Sequence, residues 1–153
     1  MGVVALQTVG LLLAGVLAGE EFVVRYGVQP ALSALEDRPH IQARQALVRR
    51  LRVLVPIIMI PAVLVGIGVL IFSDTGEGIT FRWAGVISLI AFVLFSFLGT
   101  VPINIQVNDW QVNNPPTDWK ATVRRWETHR RVPVLCAIVA FACFLIALAL
   151  QVH

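Results

Sequence analysis

The sequence predicts an all-α integral membrane protein, a four-helix bundle with a short interfacial amphipathic helix before its fourth span. Three observations predict it. Hydrophobic residues make up 58 % of the 153 and charged ones only 14 %, where a soluble domain carries about a quarter. The apolar residues are gathered into four runs, at about 3–26, 51–72, 83–105 and 132–150, each near the roughly 20 residues that a helix needs to cross a bilayer. The cations are gathered into two of the three connections. The whole chain, 1–153, reads as one membrane domain.

The first run, Val3 to Tyr26, has no Lys or Arg before Arg25. It lacks the charged n-region of a secretory signal and reads as a retained helix. Gly15 and Gly19 form a GxxxG pair that permits close helix approach. Glu21 and Arg25 are four residues apart, so they share a face and can pair. Glu21 lies about 120–160° around the helix from the glycine stripe. Solvation at headgroup depth would explain both Glu20 and Glu21; an acid facing the bundle interior would be costly without a role. Gly27 to Arg50 is polar, with Pro30 and Pro39. Residues 40–50 read as a short surface helix whose arginines sit at headgroups, and His40 as a solvated loop histidine.

Pro56 and Pro61 interrupt the second span, and each removes a backbone donor and kinks the helix. Ser73 to Phe81 is a short polar turn, so spans two and three are antiparallel neighbours, with Arg82 and Trp83 at the interface. Near the end of the third span, Pro102 clashes with the carbonyl of Leu98, and a kink or unwound turn is expected there. Thr100, Asn104, Asn108 and Gln111 fall on one helical stripe, each within about 40° of its centre. Such a stripe points amides at a neighbouring helix, a water-filled pocket or a ligand. Thr117 can cap the next helix. In it Trp119, Val123, Trp126 and Arg130 recur at helical spacing while Lys120, Arg124, Arg125 and Arg131 take other faces. That is the pattern of an interfacial helix with tryptophans towards lipid and cations towards phosphate, so the basic residues do not argue for nucleic acid. Pro133 sits in the first turn of the last span, where proline is tolerated. Cys136 and Cys143, roughly 10 Å apart along one helix, are too far apart to bridge.

Of the twelve Lys and Arg, Arg38, Arg44, Arg49, Arg50, Arg52, Lys120, Arg124, Arg125, Arg130 and Arg131 lie in or beside the first and third connections. Arg82 lies at the opposite face. The positive-inside rule makes those two connections cytoplasmic and both termini external, in the plasma membrane. Glu21, Arg25, Asn104, Asn108, Trp126 and His129 then share one membrane surface. The sequence has no Gly-rich phosphate loop, CxxC or HExxH, and no paired Glu-x-x-His of a di-iron bundle. A copper or iron ion held by His129, Glu21 and His40 is one option, and chemistry without a cofactor is another. In the second, Glu21 or His129 removes an acidic proton while Asn104, Asn108 and Arg130 stabilise the oxyanion. Transport is a third option, but the polar cluster sits at one end and marks no path across the membrane.

GEEFVVRYGVQPALSAL, the proline in VLVPIIMIPAV, VPINIQVNDW and DWKATVRRWETHRR together resemble the DUF1772, or anthrone oxygenase-like, family of small membrane proteins. The resemblance covers essentially the whole chain and rests on Glu21, Pro30, Pro102, Asn104, Trp119, Trp126 and His129. It departs at Val101, where the family often has asparagine, and at Arg130 and Arg131, which follow His129 early. It implies a four-helix bundle, and for some members oxidation of anthrones to anthraquinones with O₂. The expectation is therefore an oxygenase acting on an apolar polycyclic phenol that partitions into the lipid bilayer. Glu21, Asn104, His129 and Arg130 would be catalytic, with Arg25, Asn108, Trp110 and Trp126 around the substrate. The alternative is a non-enzymatic small membrane subunit or scaffold whose polar residues only lock the helices. The cofactor (none, copper or iron) and a homo-oligomeric state are left open.

Overall fold

The computed structural model describes residues 2–73 and 76–151. Among the described residues the regular elements are helical, with one isolated bridge between Gln111 and Asn114. Three long helices, α1 (Gly2–Ser33), α2 (Asp37–Phe72) and α3 (Ile79–Asn108), are each long and apolar enough to cross a membrane. So is the stretch Trp119–Ala149, which divides into α4 (Trp119–His129) and α5 (Arg131–Ala149). α1 packs on α2 and α5, and α3 packs on the same two. The connections are short, so consecutive spans alternate in direction around the ring. This is the all-α four-helix membrane bundle that the hydropathy predicts. Asp74 and Thr75 of the expected polar turn lie outside the described residues.

The helices outrun the apolar runs. α2 begins at Asp37, so residues 40–50 are its first turns and not a separate surface helix. Ile41, Arg44, Gln45, Val48 and Leu51 recur on one face and are all buried. That face packs against the end of α3 and against α4, which is why the helix continues through a polar stretch. Pro56 and Pro61 lie inside α2 without ending it. Pro30 and Pro102 act differently. A π-helical turn, Val24–Val28, precedes Pro30, and a second, Ser96–Thr100, precedes Pro102. In each case the residue four before the proline, Tyr26 or Leu98, lies in that turn. The proline ring cannot sit beneath that carbonyl and offers no N–H to it, and the wider turn accommodates both defects.

The middle of the bundle is a dry core of small and branched residues: Ala14, Leu17 and Ala18 of α1, Met59 and Ala62 of α2, Val86, Leu89 and Phe92 of α3, and Ala137, Ala140 and Phe144 of α5. Leu12, Leu64, Ile87 and Leu135 face outward, each at least 60 % exposed, an arrangement that suits lipid and not water. The close approach of α1 does not use the GxxxG pair. Gly15 lies against the Phe141 ring, and a Cβ on Gly19 would meet nothing within 4 Å. The buried stripe is Gly10, Ala14 and Ala18 with Leu17, and it carries Glu21 inward at its end. The tightest glycine is Gly85, where a Cβ would stand 2.7 Å from the Phe144 ring. At the end of the bundle away from α4, Gln7 donates to Ser73 Oγ (3.2 Å) and Arg82 is buried. Arg82 is thus packed inside, in the first turn of α3, whereas Trp83 is exposed. Polar residues therefore occur at both ends of the bundle, not at one alone.

Gly85→Leu should lower the thermal midpoint in detergent by the equivalent of about 1–3 kcal/mol, because the Phe144 ring must move. Gly19→Ala should cost nothing measurable. Parallel melts of the two variants check this, and a loss at Gly19 would restore the GxxxG contact.

Candidate functional site

At the end of the bundle where α4 lies, the side chains are built around Arg130, the residue between α4 and α5. It is buried to 3 % exposure. Its Nη2 donates to Glu21 Oε2 at 2.6 Å and stands 3.8 Å from Glu20 Oε1. The expected Glu21–Arg25 pair is not made. Arg25 reaches across to α4 and donates to the Glu127 carbonyl (3.1 Å). The reason is burial. A carboxylate deep in the bundle gains most from a partner that is itself desolvated, and Arg25 is only half-buried while Arg130 is enclosed.

Trp126 lies beside this pair, 1 % exposed. Its indole N–H donates to Asn104 Oδ1 at 2.7 Å. Two guanidiniums lie near its ring, Arg44 at 4.8 Å and Arg130 at 5.0 Å from the centroid, within cation–π range. Trp119 is buried as well, edge-on to His40 (5.2 Å between centroids) and to Trp110 (6.2 Å). The tryptophans of α4 therefore face the protein, contrary to the lipid-facing expectation, and the outward faces carry Lys120, Arg124 and Arg125. A buried indole needs an acceptor, and Asn104 supplies it. α4 begins after Asp118 without a side-chain cap, so Thr117 does not cap it.

His40 is also inside, 6 % exposed. Its Nε2 accepts from Arg44 Nε (3.1 Å), so it is not a solvated loop residue. Arg44 also stands 3.6 Å from Glu127. Gln45 donates to the carbonyls of Val107 (3.0 Å) and Trp110 (2.8 Å), closing the end of α3 onto α2.

Between α2 and α3 a cavity of about 580 Å³ opens. Its α2 wall is apolar, from Leu51, Val55, Pro56 and Met59, with Arg52 at the outer end. Its α3 wall is a polar ladder, Ser96, Thr100, Asn104 and Asn108, one residue per turn, and Glu21 and Arg130 close the back. Phe97, Val101 and Ile105 line it and are also exposed on the outside, so the cavity opens sideways towards lipid. Three buried polar atoms on its lining residues have no hydrogen-bond partner: Thr100 Oγ1, Asn108 Oδ1 and Arg130 Nε.

Of the residues singled out from the sequence, the cavity brings together Glu21, Asn104, Asn108 and Arg130. Trp126 stands behind Asn104 as a support and does not line the cavity. Trp110 packs among Trp119, Val107 and Val112, and Arg25 is turned to α4. His129 is exposed on α4 against Gly99 and is not brought to the cavity. Gln111 lies past the end of α3 and off the stripe. The copper or iron set of Glu21, His129 and His40 is not assembled. Glu21 is held by Arg130 and His40 by Arg44, and among the described residues no three His, Cys, Asp or Glu gather around one point. Sequence reasoning passed over Arg44, Arg52, Ser96 and Gln45. The four-residue step from Ser96 to Thr100 was the available signal for one of them.

No protein-family model matches the chain, and neither the curated proteins nor the solved structures give a match.

Arg130→Met should destabilise the protein by about 3–5 kcal/mol, since it strands the Glu21 charge in the interior. Adding Glu21→Leu should recover most of that loss. Asn104→Leu should cost about 1–3 kcal/mol by leaving the Trp126 indole unpaired and should shift tryptophan emission. Thermal melts of the single and double variants in detergent, with emission spectra, check all three.

Proposed function

We propose that this is a multi-pass protein of the cell membrane with both termini outside and the α4 end at the cytoplasmic surface. In this reading the cavity takes an apolar, polycyclic phenolic or keto molecule dissolved in the membrane, and oxidises it with O₂. The observation that carries the reading is the cavity itself. Its volume, about 580 Å³, falls in the range of roughly 300–1,000 Å³ typical of small-molecule sites, which are mostly apolar with a few convergent polar groups. Its sideways opening suits a ligand that arrives from lipid. The cations exposed beside it (Arg49, Arg50, Arg52, Lys120, Arg124, Arg125 and Arg131) support the orientation.

The chemistry follows from charge. Transfer of an acidic ring C–H proton to Glu21 cancels the carboxylate's charge and frees Arg130 to face the oxyanion formed on the substrate. Arg130 Nε, without a partner, is the donor available for it, and the Asn108 amide is a second group on the same cavity. The resulting carbanion gives its electrons to O₂. One oxygen atom becomes the new ring carbonyl, the other leaves as water, and a ring CH₂ becomes C=O. The resemblance to the DUF1772 family supports this reaction. His129 lies outside the cavity and Glu21 lines it, so Glu21 takes the role of base.

A scaffold role has one observation in its favour. Asn104 and Gln45 already bond Trp126 and the carbonyls of Val107 and Trp110, as residues that lock helices together would.

Purified protein given an anthrone should consume one O₂ per quinone formed; Glu21→Gln should lower the rate at least about 100-fold, and Asn108→Ala should lower it less. Oxygen uptake and product analysis check this. No uptake by the wild type, with both variants altered only in melting temperature, would favour the scaffold.

A further inference from the structure

The unpartnered atoms on the cavity wall say more about the ligand than its size does. A threonine or serine in a helix often returns its hydroxyl to the carbonyl one turn back. Thr8, Ser33 and Thr128 do so here, to Val4 (2.9 Å), Gln29 (3.1 Å) and Arg124 (3.0 Å). Thr100 does not. It is 9 % exposed, sits at the end of the π-helical turn, and its hydroxyl has no partner. Asn104 and Asn108 form a second contrast. They occupy the same stripe one turn apart, yet Asn104 Oδ1 holds Trp126 while Asn108 Oδ1 is buried with no partner. Buried polar groups are as a rule satisfied, and both of these belong to residues that line the cavity.

Resting on the reading of the cavity as a ligand site, we propose that its ligand carries two hydrogen-bonding groups, held by Thr100 and Asn108 at opposite ends of one molecule. The eight-residue step from one to the other puts the two anchors about 12 Å apart along the helix. The ligand is therefore an elongated ring system oxygenated at both ends, with its apolar face on Val55, Pro56 and Met59. Asn108 Oδ1 accepts, so the end nearer Arg52 and Asp109 carries a hydroxyl or N–H. The Thr100 hydroxyl both donates and accepts, so the deeper end carries any oxygen. A single-headed amphiphile with a bare hydrocarbon chain leaves Thr100 unsatisfied and is selected against.

The test uses the full chain in nanodiscs and three probes on one skeleton: a linear tricyclic quinone with a hydroxyl on each outer ring, its mono-hydroxylated counterpart, and the bare quinone. Affinities are measured by calorimetry with empty nanodiscs subtracted. Each hydroxyl should tighten binding about fivefold, the usual worth of one hydrogen bond. In Asn108→Ala or Thr100→Val the dihydroxylated probe should bind no better than the mono-hydroxylated one does to the wild type, with the bare quinone unchanged. Equal affinity of all three probes for the wild type would overturn the two-ended ligand while leaving the cavity a ligand site. Absence of binding by every probe would overturn both.

Discussion

The ion pair between Glu21 and Arg130 is the constraint on which this end of the molecule depends. A guanidinium with 3 % exposure cannot be left alone in an apolar bundle. Its partner lies 109 positions away in sequence, at 2.6 Å, so the pair ties the first span to the start of the last. With Arg130 fixed, its guanidinium stands over Trp126, and Trp126 in turn fixes Asn104. The interfacial helix is thus held by its interior side chains, and its exposed cations are left to meet a charged surface. Arg44 is a second guanidinium within cation–π range of the same indole.

The same constraint shapes the cavity. α2 and α3 meet through Gln45 at one end and through the dry core at the other. Between those contacts α2 offers Pro56 and apolar side chains, and α3 offers hydroxyls and amides that have no counterpart across the gap. Two helices whose facing surfaces do not match in polarity do not zip together, and the space between them stays open. The opening is therefore a product of surface chemistry along two helices and not of a missing side chain.

Much of this was legible in the sequence, and the misses share a cause. Hydropathy located the four spans, because an apolar run must be buried or face lipid whatever its neighbours do. It understated their length: α2 starts at Asp37 because Arg44 and Gln45 find partners in other elements. For Glu21 the sequence left a solvated acid and an inward one both open, and its partner was not legible. A pair four residues apart is visible in a sequence, and one closed by folding is not. The sequence therefore offers Arg25 as the partner of Glu21. The tryptophans of α4 failed similarly, since an amphipathic pattern says which residues share a face and not which way that face turns. His40 and His129 exchanged places for the same reason, the first drawn inside by Arg44 and the second left on the surface. Thr100, Asn104 and Asn108 were recognised because their spacing is local to one helix.

The π-helical turn before Pro102 has a consequence for inheritance. Such a turn is equivalent to one residue inserted into an α-helix, and one residue rotates everything beyond it by about 100°. The half of α3 that carries Val86, Leu89 and Phe92 and the half that carries Asn104 and Asn108 are therefore two reading frames of one span. Loss of a single residue between Ser96 and Thr100 would leave length, hydropathy and composition almost untouched, yet it would turn the amides out of the cavity. In descendants of this chain, the spacing of that segment is under tighter constraint than the identity of the apolar residues that fill it.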